Sequence, residues 1–144
     1  MLEEDLQFTD GDIIDAIKEL NNHSAAGPDD VPATLIRQCA DSVLIPLKIM
    51  WRSSLECGIV PELYKQCFVC PVHKKGDKVT PGNYRPIALT SHMIKVFERV
   101  LRKKMILHLD RNLILSDMQH GFRSGRSTLT QLLSHWDDIL CGLL

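Results

Sequence analysis

With 144 residues, 44% of them hydrophobic, the chain is long and apolar enough to bury a core, which excludes a disordered tail. Its net charge of -1 hides a split: residues 1–64 carry 4 Lys/Arg against 12 Asp/Glu, residues 65–126 carry 13 against 4, and residues 127–144 add two aspartates. The basic middle block attracts a polyanion only if folding gathers its charges on one face; an ordinary solvated surface is the other reading.

The chain opens on Met1-Leu2-Glu3-Glu4-Asp5, acidic and without an apolar stretch, so no secretory signal is read and the expected location is nuclear or cytoplasmic. Thr9 is a candidate N-cap with Asp12 three residues on, and Ile13, Ile14, Ile17 and Leu20 follow at helical spacing. Asn21-Asn22 is read as the end of that helix, and the stretch 24–30 is loop by composition. Pro32 fits a helix start with Leu35, Ile36 and Cys39 as its stripe. A longer helix is expected over 42–57, with Pro46 near its first turn and Gly58 as its cap; Pro46 and Lys48 make its densest apolar part a packed helix and not a membrane span. Residues 61–64 read as a short helical turn. Residues 66–72 and 84–89 read as two strands of an antiparallel hairpin, joined by a basic loop with two turn signals.

Five cysteines in a chain with no secretion signal read as free thiols. Cys67 and Cys70 have C-x-x-C spacing, but no second pair follows, and positions three apart on a strand face opposite sides, so zinc is not assigned. Ser91 caps a third long helix to about residue 109, with Ile94, Phe97, Leu101, Met105 and His108 or Leu109 expected on its apolar side. Lys95, Arg99, Arg102, Lys103 and Lys104 of that helix either lie along a phosphate backbone or form a charged exterior. Ser127 caps a last helix carrying Leu129, Leu132, Leu133, Trp136 and Leu140. The layout is α+β, helix-rich with one small antiparallel sheet.

Four segments in order carry a resemblance. They are Ala26-Gly27-Pro28-Asp29 with Pro32, Pro71 through Lys74-Lys75-Gly76-Asp77, Asn83-Tyr84-Arg85-Pro86-Ile87-Ala88-Leu89, and Gln119-His120-Gly121-Phe122-Arg123 with Arg126-Ser127-Thr128. Together they are similar to the reverse transcriptases of non-LTR retrotransposons, LINE-like and especially jockey-type elements, over residues 8–139. Asp30 stands where the family usually has glycine, which alters a turn, and Ala88 where it often has serine.

The resemblance implies one partial reverse transcriptase domain over 1–144, the fingers subdomain of a right-hand polymerase through the first palm helix, with palm and thumb largely missing. It implies that Arg85, then Lys74, then Lys75 contact the triphosphate of an incoming nucleotide. It points Gly121, Phe122, Arg123 and Arg126, with Gly27 and Pro28, toward the template. The complete enzyme is expected to use Mg²⁺ or Mn²⁺ and dNTP on an RNA template and primer duplex; a longer polymerase chain is a further candidate partner of these residues. The family's catalytic aspartate motifs are not found, so no catalytic or metal-binding residue is assigned and these residues alone are expected to be inactive. Asp137-Asp138 sits mid-helix, where neighbouring side chains diverge by roughly 100°, and Asp29 reads as a local cap.

From the residues alone other readings stay open. Arg85 closes a salt bridge, the lysines are a solvated turn, and Phe122 anchors its loop and does not stack on a base. A non-catalytic RNA-binding or polymerase-associated remnant, or an inert translated fragment, is the alternative function.

Overall fold

In the computed structural model residues 8–142 are described; the acidic stretch 1–5 and the terminal Leu143-Leu144 lie outside them. The described residues form helices α1 (Asp10–Lys18), α2 (Ala33–Gln38), α3 (Ala40–Cys57), α4 (His92–Arg111) and α5 (Thr128–Gly142), with strands β1 (Phe68–His73) and β2 (Tyr84–Leu89) between α3 and α4. Short 3₁₀ turns at Glu62–Lys65 and Pro81–Asn83 precede the two strands. This is the α+β arrangement expected. The chain divides into two compact units, Met1–Lys104 and Met105–Leu144, with α4 running across the boundary.

Local chemistry sets the helix ends. Thr9 and Asp12 form a reciprocal capping box: the Asp12 amide donates to Thr9 Oγ1 at 3.2 Å and the Thr9 amide to Asp12 Oδ2 at 2.9 Å. Gly58 ends α3 in the left-handed region, φ 66°. At α5, the Thr130 amide donates to Ser127 Oγ at 3.2 Å while the Ser127 amide donates to Thr130 Oγ1 at 2.9 Å. Cys39 closes α2 and opens α3 in a single step. Because α3 therefore begins at Ala40, Pro46 lies inside it and not in its first turn. Its missing N–H leaves the Ser42 carbonyl without a helical donor, and Pro46 is exposed, where water can serve that carbonyl.

The core lies in the first unit, where Ile13, Ala16, Ile17 and Leu20 of the α1 segment meet Ala33 and Ile36, Leu47 and Trp51, and Ile94, Val96, Phe97 and Val100. Trp51 stacks on Phe97 with ring centroids 5.0 Å apart and takes the edge of Phe8 at 6.0 Å. On α4 the buried set is His92, Ile94, Val96, Phe97 and Val100, which corrects the expected stripe: Leu101 is only partly buried and Met105 is exposed. Beyond Val100 the contacts of α4 with α1 are polar, Lys103 and Lys104 with Asp12. In the second unit the expected stripe of α5 exists, but Leu129, Leu132, Leu133, Trp136 and Leu140 are all exposed.

Asp12 also joins α1 to α4. Lys104 Nζ lies 2.8 Å from its carboxylate and Lys103 Nζ 3.8 Å. The Lys104 bond first, then the Thr9 amide, hold its pKa at about 2 against an ordinary 3.8. A carboxylate with a lowered folded pKa stabilises the fold fully above its unfolded value, and that stability is lost as pH falls from 3.8 toward 2. Asp12→Asn is therefore expected to lower the urea midpoint at pH 6, with the difference from the unaltered chain closing by about pH 2. Parallel unfolding curves at all pH values would contradict this.

The hairpin pairs Phe68 with Leu89, Cys70 with Ile87, Val72 with Arg85 and His73 with Tyr84. Pro71 stands opposite Pro86. Neither has an N–H, so this pair takes a non-hydrogen-bonded position and no ladder bond between β1 and β2 is lost.

Candidate functional site

The register decides which side chains share a face. Phe68, Cys70 and Val72 lie with Arg85, Ile87 and Leu89 on one face; Val69, Pro71 and His73 lie with Tyr84, Pro86 and Ala88 on the other. The Lys74 amide donates to the Asn83 carbonyl at 2.8 Å, extending the ladder one step. Lys74 thus falls on the face of Arg85, as a diagonal neighbour about 7–8 Å away by Cα. Lys75 begins the loop beyond. All three cations are exposed, and among the described residues none makes an ion pair. The salt-bridge reading of Arg85 is not what the structure shows.

The loop between the strands is tied to its own stem. His73 Nε2 lies 3.0 Å from the Gly76 carbonyl, Asn83 Nδ2 donates to the Asp77 carbonyl at 2.7 Å, and the Tyr84 hydroxyl donates to the Lys78 carbonyl at 2.8 Å. Asp77 Oδ1 accepts the Val79 amide at 3.0 Å. Gly76 takes the turn at φ 82°, where a side chain would be strained and would press on Asn83. The basic residues of this loop stand out in the sequence, whereas these ties do not. The signal was there in the polar and aromatic residues at both strand ends.

The hairpin's return into α4 is braced by the 24–31 loop. Ser91 Oγ donates to Asp29 Oδ2 and accepts the Met93 amide at 3.1 Å. Asp29 Oδ1 takes the Val31 amide at 3.4 Å, the local capping expected of it. Gly27 is buried against Thr90 and Ser91, with half-buried Pro28 following. Asp30 closes the turn back to Gly27 at φ 52°, a region that glycine reaches freely and aspartate tolerates. That explains how it stands where the family usually has glycine. His92 is fully buried. Burial, then the charge of Lys95, pushes its pKa below the ordinary 6.5, against the pull of the Ser24 backbone and Asp29.

The 119–128 segment belongs to the second unit. Phe122 is 93% exposed at φ 61°, so it anchors nothing in its own loop. Gly125 turns at φ 73°, whereas a Cβ on Gly121 would meet open space. Arg123 reaches Asp110 at 3.5 Å and the Ser116 carbonyl at 3.1 Å, and Arg126 holds Asp117 Oδ1 at 2.9 Å. Both arginines are thus engaged by local acceptors. On α4, Lys103 and Lys104 pair with Asp12 and Arg99 donates to the Ala16 carbonyl at 3.4 Å, so these three serve as helix exterior facing α1.

All five cysteines are free. Among the described residues no three His, Cys, Asp or Glu side chains gather where they could hold a metal ion, and no helix is long and apolar enough to cross a membrane. The described residues by themselves do not fit a divalent-metal centre. Asp137 and Asp138 lie exposed on α5.

No protein-family profile matches the chain. It is 30% identical over 122 residues to a probable RNA-directed DNA polymerase from transposon BS of Drosophila melanogaster, covering 84% of this chain and 14% of that protein. It is 29% identical over 117 residues to the RNA-directed DNA polymerase from mobile element jockey of the same fly, covering 81% and 13%. It is 25% identical over 126 residues to the probable RNA-directed DNA polymerase from transposon X-element, also of that fly, covering 87% and 14%. The chain's curated homologues are thus RNA-directed DNA polymerases of non-LTR retrotransposons, and it spans a short segment of their length.

Proposed function

We propose that this chain is a fingers segment of an RNA-directed DNA polymerase, a partial domain running to the first palm helix, which contacts the triphosphate of an incoming nucleotide and the template strand. One observation carries the reading: Arg85 and Lys74 share an exposed face of the hairpin with no acid paired to them among the described residues. A guanidinium beside an ammonium suits phosphate oxygens, the first by a two-pronged contact and the second as a point charge. Lys75 adds charge at the loop's start. In the complete enzyme Mg²⁺ or Mn²⁺ and dNTP would supply the chemistry of nucleotide joining on an RNA template and primer. Phe122, with Arg123 and Arg126, would meet the template once the arginines exchange Asp110 and Asp117 for phosphate, with Gly121 in the same loop; Gly27 and Pro28 are proposed as further template-side residues of the first unit.

On this reading the 144 residues alone bind and do not polymerise. Titration of the purified chain with a deoxynucleoside triphosphate at low salt should show binding. Arg85→Ala should weaken it about 10- to 100-fold, the value of one charge-assisted contact, and Arg85→Lys should restore only part. Equal binding by both variants would remove the reading's basis. A primer-extension assay on the same samples should show no product.

A further inference from the structure

We infer that Lys78 is a further phosphate-contacting residue of the hairpin and that Tyr84 positions it. The inference rests on the reading that this hairpin meets phosphate, and it adds a residue that neither the motif likeness nor the register of the strands selects.

Three consecutive loop carbonyls, those of Gly76, Asp77 and Lys78, each meet a different group on the stem: His73 Nε2, Asn83 Nδ2 and the Tyr84 hydroxyl. For His73 to bond a carbonyl, its Nε2 must carry the proton. An exposed loop of ten residues would ordinarily sample many backbone states, and the ordering would be charged against any ligand it binds. Here three stem side chains have already done that ordering. The tie to Lys78 is the most direct, because the group held is that lysine's own carbonyl, 2.8 Å from the phenol. Tyr84 is itself braced by a ring contact with His73, centroids 5.4 Å apart, and is followed in the chain by Arg85.

The lysine so held is exposed, and among the described residues its ammonium pairs with no acid. Asp77 is the acid nearest in sequence, and one of its oxygens is occupied by the Val79 amide. A cation fixed at its main chain and free at its tip can follow a phosphate group with little further loss of freedom. The ligand class is a phosphate oxyanion, either the triphosphate of a nucleotide or the backbone of RNA.

The test is a double-mutant cycle on the full chain, read with two probes, inorganic tripolyphosphate and a short single-stranded RNA, at low salt. Lys78→Ala, a surface change, should weaken binding about tenfold. Tyr84→Phe keeps the ring contact and removes only the hydroxyl; it should also weaken binding, by about fivefold to tenfold. The double variant should be no weaker than Lys78→Ala alone, since a positioning group has nothing to position once its lysine is gone. A purely structural role for Tyr84 would instead add its effect to that of Lys78→Ala and overturn the assignment. So would unchanged binding in Lys78→Ala; if Arg85→Ala still lost affinity, the broader reading would survive. Failure of the unaltered chain to bind either probe would overturn both. Effects on both probes, or on one only, support the assignment and say whether nucleotide or nucleic acid is the source of the phosphate.

Discussion

Trp51→Ala is expected to destabilise the first unit by about 3–5 kcal/mol, the usual cost of emptying an aromatic site in a core. The indole is 1% exposed, lies stacked on Phe97 and is met by Phe8 at its edge, so its removal unseats two other rings as well as leaving a cavity. Two distant parts of the sequence, at Phe8 and Phe97, meet on it, and a domain of this size has only about 5–15 kcal/mol to lose. Trp51→Phe separates the two contributions of the indole. It preserves most of the stacking area and discards a buried Nε1–H that has no partner among the described residues, so its loss should be less than half as large. Urea denaturation followed by circular dichroism reads both. A Trp51→Ala loss under about 1 kcal/mol would mean that this ring is not at the centre of the packing.

Gly27→Ala is expected to cost about 3 kcal/mol in all, combining forced separation of packed backbone with loss of a bond to a carboxylate. A Cβ at this position would sit 2.5 Å from the Thr90 carbonyl carbon and 2.5 Å from the Ser91 nitrogen. Backbone cannot yield as a side-chain tip can. The 24–31 loop would have to withdraw from the start of α4, taking Asp29 away from Ser91. The same unfolding measurement applies, with Ser91→Ala as a companion that removes the Asp29 bond and the cap on the Met93 amide and leaves the close approach in place. That variant should lose only about 1–2 kcal/mol. If the two variants lost equally, the steric part of the argument would fall.

What could be read from the sequence was what neighbours in the chain decide. The Thr9–Asp12 box, the Ser127 cap, the left-handed Gly58 and the antiparallel pairing of residues near 70 with those near 87 all depend on spacing over a few residues, and the structure has each of them. What depended on a distant partner was misjudged. Spacing alone carries the apolar side of α4 on to Met105, yet the buried residues of that helix end at Val100 and Met105 is exposed. By sequence Pro46 reads as near a first turn because nothing local announces that α3 begins within two residues of the end of α2. In the candidate site, Arg85 and Lys74 could be nominated from residue type and likeness, whereas their common face needed the strand register. The pairing of Arg123 and Arg126 with Asp110 and Asp117 was hidden for the same reason, since it depends on how the 112–127 connector turns back. Lys78 is not legible in the sequence because its distinction lies in a carbonyl, a group every residue has.

The facing prolines of the hairpin have one more effect. At a non-hydrogen-bonded pair the amides point away from the partner strand, toward the sheet's outer margins. Pro71 and Pro86 leave each margin short of its central donor, so a third strand arriving from either side would find a gap in the middle of its bonding row. A two-stranded ribbon this exposed would otherwise invite recruitment into larger sheets. With each flank interrupted at its centre, strand addition is discouraged, while the exposed face that carries Arg85 stays open to a ligand.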